Sequence, residues 1–263
     1  MKRLRQLHHR RHREERQEFL IDGLRLVEAA LEAQAPVVQL LVATDARGGH
    51  RRLDALLRTA QARGIPVRPA ARRVLEAISQ VETPQAVVAV VRCVPAVLLP
   101  LLDRSDLLLL IVDRVADPGN LGTIIRTADA AAATAVVLLP GTVDVYNPKV
   151  VRATMGSLFH LPVVDHPAEP LRAALRTRGV RLLATDSTGT VEFQEADYRR
   201  PAALVVGNEA EGVHPAWREA ADAVIRIPLY GRAESLNVAV AAALVLYAAA
   251  RPVYTDANLR RQA

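Results

Sequence analysis

Short apolar runs alternate with segments of helical periodicity from residue 19 onward. Residues 37–43 and 85–91 are rich in valine and leucine, which is typical of β-strands. Residues 24–32 and 53–63 repeat apolar positions every three or four residues, which is typical of amphipathic helices. The other elements of this part are predicted as strands 19–21 and 65–67 and helix 72–79. The pattern predicts a small α/β unit.

A second series of elements begins at residue 107. Residues 107–113 are a continuous apolar run, as in a parallel strand that is covered on both faces. Further strands are predicted at 135–139, 180–185, 202–206 and 223–227, and helices at 121–132, 148–159, 171–178 and 236–250. Such alternation predicts a parallel sheet between layers of helices. Because 94–106 contains two prolines and no clear period, we expect domains at 1–95 and 106–263.

The first eighteen residues alternate arginine and histidine with a few glutamates, and their apolar anchors are Leu4 and Leu7. We expect a solvated, partly helical arm, whose arginines either solubilise the chain or contact phosphate. The whole chain has 34 Lys plus Arg against 28 Asp plus Glu, a net charge of +6, and a pI near 10.1. This balance suits a polyanionic partner, although it does not separate RNA from DNA.

Cysteine and histidine usage gives no sign of redox or metal chemistry. The single cysteine, Cys93, lies in an apolar run, where a structural thiol is expected. His160, His166 and His214 are scattered, so we predict no metal. No secretory signal is apparent, and the longest apolar stretch, 236–250, is shorter than the roughly 20 residues that span a bilayer. We expect a cytoplasmic protein.

Three segments join the end of an apolar strand to glycines and polar residues, which is where open α/β sheets place ligands. They read DRVADPGNLGTIIRTADA at 113–130, VVGNEAEGV at 205–213 and IPLYGRAESLNVAVA at 227–241. Neither a Gly-Lys-Ser/Thr phosphate loop nor a GxGxxG turn occurs, which argues against nucleotide hydrolysis and a dinucleotide site.

Each segment alone also has an ordinary structural explanation. The first is a capped helix on which Arg126 could pair with Asp129, the second is a turn, and the third is a core helix for which Ser235 is a good N-cap. The combination favours function, because each segment offers an asparagine beside arginine, glutamate or serine.

The three segments resemble the signature motifs of the SpoU/TrmH RNA 2'-O-ribose methyltransferases of the SPOUT superfamily. Residues 19–28 (FLIDGLRLVE) also resemble the start of the N-terminal substrate-binding domain of that family. The resemblance implies an α/β fold in which a small RNA-binding domain precedes a parallel-sheet SPOUT domain with a deep trefoil knot. It further implies S-adenosylmethionine as cofactor, RNA as partner and a homodimer. Ala131 and Ala210 depart from the motifs, since glycine is common at both positions.

The resemblance also implies roles for particular residues. Catalytic and substrate-binding roles fall on Asn120, Arg126, Glu209, Ser235 and Asn237. The cofactor pocket would be lined by Gly207, Asn208, Ile227, Leu229 and Leu236. Arg152 matches a position expected to meet RNA phosphate, and we assign Lys149, Arg10, Arg11 and Arg13 to phosphate contacts because of their charge.

The resemblance leaves the proton acceptor open. A guanidinium with a pKa above about 12 is a poor base, so we expect Arg126 to bind phosphate and stabilise alkoxide charge while Glu209 or water takes the proton. Aromatic residues make up 3% of the chain, which favours structured RNA over a single-strand stacking platform. Ribosomal RNA is expected, because a separate N-terminal domain is present. The alternatives are transfer RNA, methylation of a base, and a non-catalytic RNA-binding module.

Overall fold

The computed structural model describes residues 2–46, 50–79 and 85–250. The chain divides into two compact units. The first comprises Met1–Pro95 with Asp144–His160, and the second comprises Ala96–Val143 with Leu161–Ala263. The residues at 251–263, which the expected second domain includes, lie outside the described residues.

Helices and strands alternate along both units. The described helices are α1 (Lys2–Gln6), α2 (Arg10–Arg16), α3 (Leu24–Glu32), α4 (Arg51–Ala62), α5 (Arg72–Ile78), α6 (Leu99–Leu102), α7 (Pro118–Ala130), α8 (Pro148–Ala153), α9 (Ala168–Thr177), α10 (Pro215–Ala220) and α11 (Val238–Ala250). The described strands are β1 (Glu18–Asp22), β2 (Val37–Ala43), β3 (Val67–Ala70), β4 (Val87–Arg92), β5 (Leu108–Val112), β6 (Ala135–Leu138), β7 (Val163–Asp165), β8 (Arg181–Thr185), β9 (Val191–Glu192), β10 (Ala202–Val206) and β11 (Ala223–Arg226).

The first unit is built on a four-stranded mixed sheet in the order β1-β4-β2-β3. Only the β2–β3 pair is parallel among these. Successive side chains of β4 point to opposite faces, so Val87, Ala89 and Val91 pack with α3 and α4, whereas Val88 and Val90 pack with α1 and α5. Both faces of the sheet are therefore covered by helices.

The segment at 144–160, which the sequence pattern had placed with the second unit, packs in the first. Val151 is in the core there, and the Tyr146 ring lies 4.7 Å from that of Phe19. The prediction of a single helix at 148–159 is wrong, because Met155 and Gly156 have left-handed φ values of 52° and 106°. α8 therefore ends at Ala153, and a short 3-10 turn follows at Ser157–Phe159.

The N-terminal segment is helical as expected but is not fully solvated. Leu4 and Leu7 are buried against the sheet face that α5 covers. Arg13 is also buried, at 4% exposure, because its guanidinium is engaged inside the unit. The segment is thus part of the packed structure and not a free arm.

The second unit contains a seven-stranded sheet in the order β7-β6-β5-β10-β8-β11-β9. All of its strand pairs are parallel, which confirms the predicted parallel sheet. β5 and β10 lie at its centre and are buried throughout, as their continuous apolar sequences predicted. α7 and α11 pack against each other within this unit.

The two helices that carry motif residues begin at positions different from those predicted. α7 starts at Pro118, three residues early, because Asp117 Oδ1 accepts from the Asn120 N–H at 2.7 Å and proline suits the first helical turn. α11 starts at Val238, since Asn237 Oδ1, and not Ser235, accepts from the Ala239 N–H at 2.9 Å. None of the helices in the described residues combines the length and apolar character of a membrane span.

Candidate active site

A cavity of about 300 Å³ opens at the carboxyl ends of the central strands of the second unit. Loops that follow β8, β10 and β11 form its walls together with the start of α11. All of the residues expected to bind cofactor, and two of those expected in catalysis, line it. The lining includes Thr185, Asp186, Ser187, Val206, Gly207, Asn208, Glu209, Ala210, Glu211, Gly212, Val213, Ile225, Ile227, Leu229, Glu234, Ser235, Leu236, Val238 and Ala241.

A chain of side-chain hydrogen bonds joins the three motif segments next to this cavity. Asn120 Nδ2 donates to Glu209 Oε1 at 2.9 Å, and Asn237 Nδ2 donates to Asn120 Oδ1 at 2.9 Å. Asn237 Oδ1 in turn caps α11, so each amide has a defined orientation. Three of the expected catalytic side chains are therefore held in one arrangement, from Glu209 on the cavity wall through Asn120 to Asn237.

The loop after β10 is tightly folded around Gly207. A Cβ at this position would lie 2.2 Å from Gly212 C and from Val213 N, so a side chain there would collide with backbone. Asn208 folds the loop: its Nδ2 donates to Arg114 O at 2.8 Å and its Oδ1 accepts from the Ala210 N–H at 2.8 Å. Since the Asn208 amide is committed to the backbone, its side chain is a structural part of the cavity wall.

Asp113, directly after β5, holds the end of the same loop. It is 3% exposed, and its carboxylate accepts from the His214 N–H at 2.8 Å and from Arg114 Nε at 3.1 Å. Arg114 also pairs with Glu211 across the loop. Sequence reasoning did not single out Asp113, although an acidic residue at the end of a buried strand was a usable signal.

Arg126 lies on α7, the helix that carries Asn120, and is exposed. The surface pair with Asp129 that its spacing allowed is not formed. Within the described part of the chain, no hydrogen bond or ion pair engages its guanidinium. Arg126 is not among the residues that line the cavity, and it remains available to an anionic ligand.

Glu209 is held in its ionised form. Partial burial would raise its pKa, but hydrogen bonds from the Asn120 side chain and from backbone N–H groups outweigh burial and lower the pKa below the ordinary value. The N–H of Ala116 contributes at 3.5 Å from Oε2. A carboxylate with a lowered pKa is a weaker base, so this environment suits an electrostatic and orienting role better than proton abstraction.

The wall formed by Thr185, Asp186 and Ser187 was missed in the sequence. Asp186 accepts from Thr188 Oγ1 at 2.7 Å and from an Arg218 guanidinium nitrogen at 2.7 Å. Burial alone would raise the pKa of Asp186, but these hydrogen bonds lower it. The signal was available, because polar residues directly follow the apolar strand β8.

The residues expected to contact RNA phosphate all lie in the first unit. Lys149 is exposed at the start of α8, and Arg152 is half-buried near Asp22. Arg10 and Arg11 are exposed and pair with glutamates one helical turn ahead, as in an ordinary solvated helix.

Arg13 was predicted to contact RNA phosphate, but the structure buries it. Its guanidinium pairs with Asp144 and donates to Leu7 O and His8 O, each at 2.8 Å. Because these partners surround it, and its side chain is 5% exposed, it is a structural residue in the first unit and no longer a candidate for phosphate contact.

Sequence comparisons identify both parts of the chain. Residues 107–247 match the SpoU rRNA Methylase family, and residues 1–89 match the MRM3-like substrate binding domain. The 23S rRNA (guanosine(2553)-2'-O)-methyltransferase RlmP of Bacillus subtilis is 39% identical over 241 residues, with 92% of each chain covered. The 23S rRNA (uridine(2479)-2'-O)-methyltransferase of Streptomyces viridochromogenes is 38% identical, covering 89% of this chain and 83% of the relative.

A solved structure gives the same relationship. The crystal structure of an AdoMet-bound rRNA methyltransferase from Sinorhizobium meliloti superposes with a TM-score of 0.87 at 34% identity. The match covers 97% of this chain and 95% of that one. The motifs, the parallel sheet and these similarities agree, and the chain belongs to the SpoU rRNA methylase family.

Proposed function

We propose that this protein transfers a methyl group from S-adenosylmethionine to a ribose 2'-hydroxyl of 23S ribosomal RNA. The observation that carries the proposal is the hydrogen-bond chain from Glu209 through Asn120 to Asn237, which unites the three motif segments beside one cavity. Relatives across nearly the whole chain are named as 23S rRNA 2'-O-methyltransferases, which supports the substrate and the atom modified.

The cavity suits S-adenosylmethionine in size and in chemistry. Its volume of about 300 Å³ lies at the lower end of the range for small-ligand pockets, ~300–1,000 Å³. Ile227, Leu229 and Leu236 offer apolar contact for a purine ring. The charged residues among the described lining are all acidic, which suits a cation. When bound, the cofactor supplies an electrophilic methyl group.

The chain's own residues position the ribose and manage charge. Arg126, whose guanidinium has no partner among the described residues, binds the phosphate beside the target ribose and stabilises the negative charge that develops on the ribose oxygen. Asn120 and Asn237 present fixed amides, and Glu209 holds that of Asn120 in place. Because the pKa of Glu209 is lowered, we assign the departing proton to water and the orienting role to Glu209.

A trefoil knot and a homodimer complete the proposal. The match of residues 107–247 to the SpoU methylase family supports the knot, because the resemblance to that family implies one. Val240, Leu244 and Tyr247 are exposed on one side of α11, and such an apolar stripe supports an interface with a second copy. Since Arg126 does not line the cavity of its own chain, an active site completed by the partner subunit is consistent with its position.

We assign recognition of structured RNA to the first unit, through Lys149, Arg152, Arg10 and Arg11. These cations provide phosphate contacts that position the RNA without reading its sequence. With a ribosomal substrate, we propose that the protein acts in the cytoplasm.

The test is methyl transfer from labelled S-adenosylmethionine to separated ribosomal and transfer RNA fractions, followed by digestion to nucleosides. The proposal expects label in 2'-O-methyl nucleosides of 23S rRNA, and none with Arg126→Ala. Label in transfer RNA would show that the substrate is transfer RNA and not 23S rRNA. Label in a methylated base would show that the enzyme methylates a base and not a ribose. Cofactor and RNA binding without transfer to any fraction would favour the RNA-binding module.

A further inference from the structure

The cavity contains an imbalance of charge that the hydrogen-bond chain does not explain. Its described lining includes the carboxylates of Asp186, Glu209, Glu211 and Glu234 and no Lys, Arg or His. Two of these are neutralised by guanidinium groups, since Asp186 pairs with Arg218 and Glu211 with Arg114. Glu209 and Glu234 therefore leave the cavity with a net negative charge.

Glu209 and Glu234 differ in how far their carboxylates are engaged by hydrogen bonds. Glu209 is committed to Asn120 and to the backbone of the loop before α7. Glu234 is exposed, and in the described part of the chain no hydrogen bond or ion pair engages it. It lies in the loop between β11 and α11, directly before Ser235 and Leu236, which also line the cavity. Glu234 is thus the carboxylate that can turn toward a ligand.

We propose that Glu234 is a specificity-determining residue that makes the cavity prefer a cationic sulfonium ligand over its uncharged thioether counterpart. The inference rests on the proposed function. S-adenosylmethionine and S-adenosylhomocysteine differ by one methyl group and one positive charge, and both carry the same adenosine and amino-acid groups. An unneutralised carboxylate at the cavity distinguishes the two through that charge alone.

The preference has a consequence for turnover. Transfer breaks the bond between sulfur and the methyl carbon, leaves the electron pair on sulfur and forms the bond to the ribose oxygen, whose proton goes to water. The positive charge on sulfur is lost in that step, and with it the attraction to Glu234. Binding of the substrate form is favoured and release of the product is eased by the same residue.

The test is calorimetric titration of the full chain with each ligand separately, for the wild type, Glu234→Gln and a control, Glu195→Gln. Glu195 is an exposed carboxylate of the second unit that does not line the cavity. We expect Glu234→Gln to weaken S-adenosylmethionine about two- to fivefold, as for an exposed ion pair, and to leave S-adenosylhomocysteine unchanged. The preference of the wild type for S-adenosylmethionine over S-adenosylhomocysteine should also decrease as the salt concentration is raised.

Two results would overturn the inference while leaving the proposed function intact. One is unchanged binding of both ligands by Glu234→Gln. The other is equal weakening of both, which would place the carboxylate at the amino group that the ligands share. If the wild type bound neither ligand, the proposed function itself would fail, and the inference with it.

Discussion

Asn120 Nδ2 lies 2.9 Å from Glu209 Oε1, although 89 residues separate the two in sequence. The contact joins the helix after β5 to the loop after β10, two central strands of the parallel sheet. It fixes which end of the Asn120 amide donates, and so leaves Oδ1 to accept from Asn237. The geometry of the candidate site depends on this pair.

Removing the Asn120 amide should therefore disorganise the site without unfolding the protein. We expect Asn120→Ala to lower kcat by about 10²-fold, the scale of a misplaced catalytic group, with a smaller change in cofactor affinity. Steady-state kinetics with RNA and calorimetry with S-adenosylmethionine separate the two effects. A kcat within twofold of the wild type would show that the amide is dispensable. Asn147→Ala, which removes the N-cap of α8 in the first unit, is the control for loss of an asparagine in the calorimetry with S-adenosylmethionine.

The pH dependence of Glu209 follows from the same contact. Its pKa is lowered in the folded protein, so the stabilising contact is fully present above the unfolded value and is lost as pH falls through the folded value. We expect the pKa of the Glu209 carboxyl to lie below its ordinary value of 4.5 in the wild type and to be higher in Asn120→Ala. NMR titration of the side-chain carboxyl measures both. An unchanged midpoint in the variant would contradict the contact.

The crowding around Gly207 predicts that alanine substitutions at two glycines of the motif loops will have different effects on cofactor affinity. Gly207→Ala places a methyl group 2.2 Å from backbone, so the loop must shift and cofactor affinity should fall at least about tenfold. Gly231→Ala is the matched control, because no atom of the described residues lies within 4 Å of its Cβ position. Calorimetry with S-adenosylmethionine compares the two. Equal affinity of both variants would count against the tight loop as part of the cavity.

The ion pair between buried Arg13 and partly buried Asp144 predicts an effect on the stability of the first unit. Arg13→Met leaves the partly buried Asp144 carboxylate without its guanidinium partner and should reduce the free energy of unfolding by about 3 kcal/mol. Arg10→Met removes an exposed helix pair and should change it by less than about 0.5 kcal/mol. Chemical denaturation monitored by circular dichroism measures both. Similar stabilities of the two variants would show that Arg13 is solvated, as the sequence alone suggested.

Phosphate contacts predict a change in salt dependence. Lys149→Ala should weaken RNA binding and reduce the slope of log Kd against log salt by about one. Arg199→Ala, which removes an exposed arginine paired with Asp197, is the control and should leave the slope unchanged. Equal slopes for Lys149→Ala and the wild type would exclude Lys149 from the RNA interface. Fluorescence anisotropy with labelled RNA over a salt series gives the slopes.

Elements with a strong periodic or apolar signal were predictable from sequence. The bounds of α3, β2 and β10 coincide with those predicted, because each is a clean pattern bounded by turn residues. The prediction of a single helix at 148–159 was wrong because the backbone is left-handed at Met155 and Gly156, and a Gly156 Cβ would lie 2.8 Å from the Ala29 Cβ. Local pattern carries no information about that neighbour.

In the candidate site too, some features were predictable from the sequence and others were not. The motifs supplied the residues of the cavity wall, because loops after parallel strands gather at one edge of the sheet. The hydrogen-bond partners of Asn120, the burial of Arg13 and the cap at Asn237 depend on contacts between distant segments or on the exact start of a helix. These could be known only from the structure.

The most direct test of the central claim replaces the proposed target atom. A 23S rRNA fragment that accepts label from S-adenosylmethionine would be compared with the same fragment carrying a 2'-deoxyribose at the methylated nucleotide. The account predicts that the deoxy fragment binds with similar affinity and accepts no methyl group at that nucleotide. Transfer to the deoxy fragment at an undiminished rate would place the methyl group on the base and contradict ribose methylation.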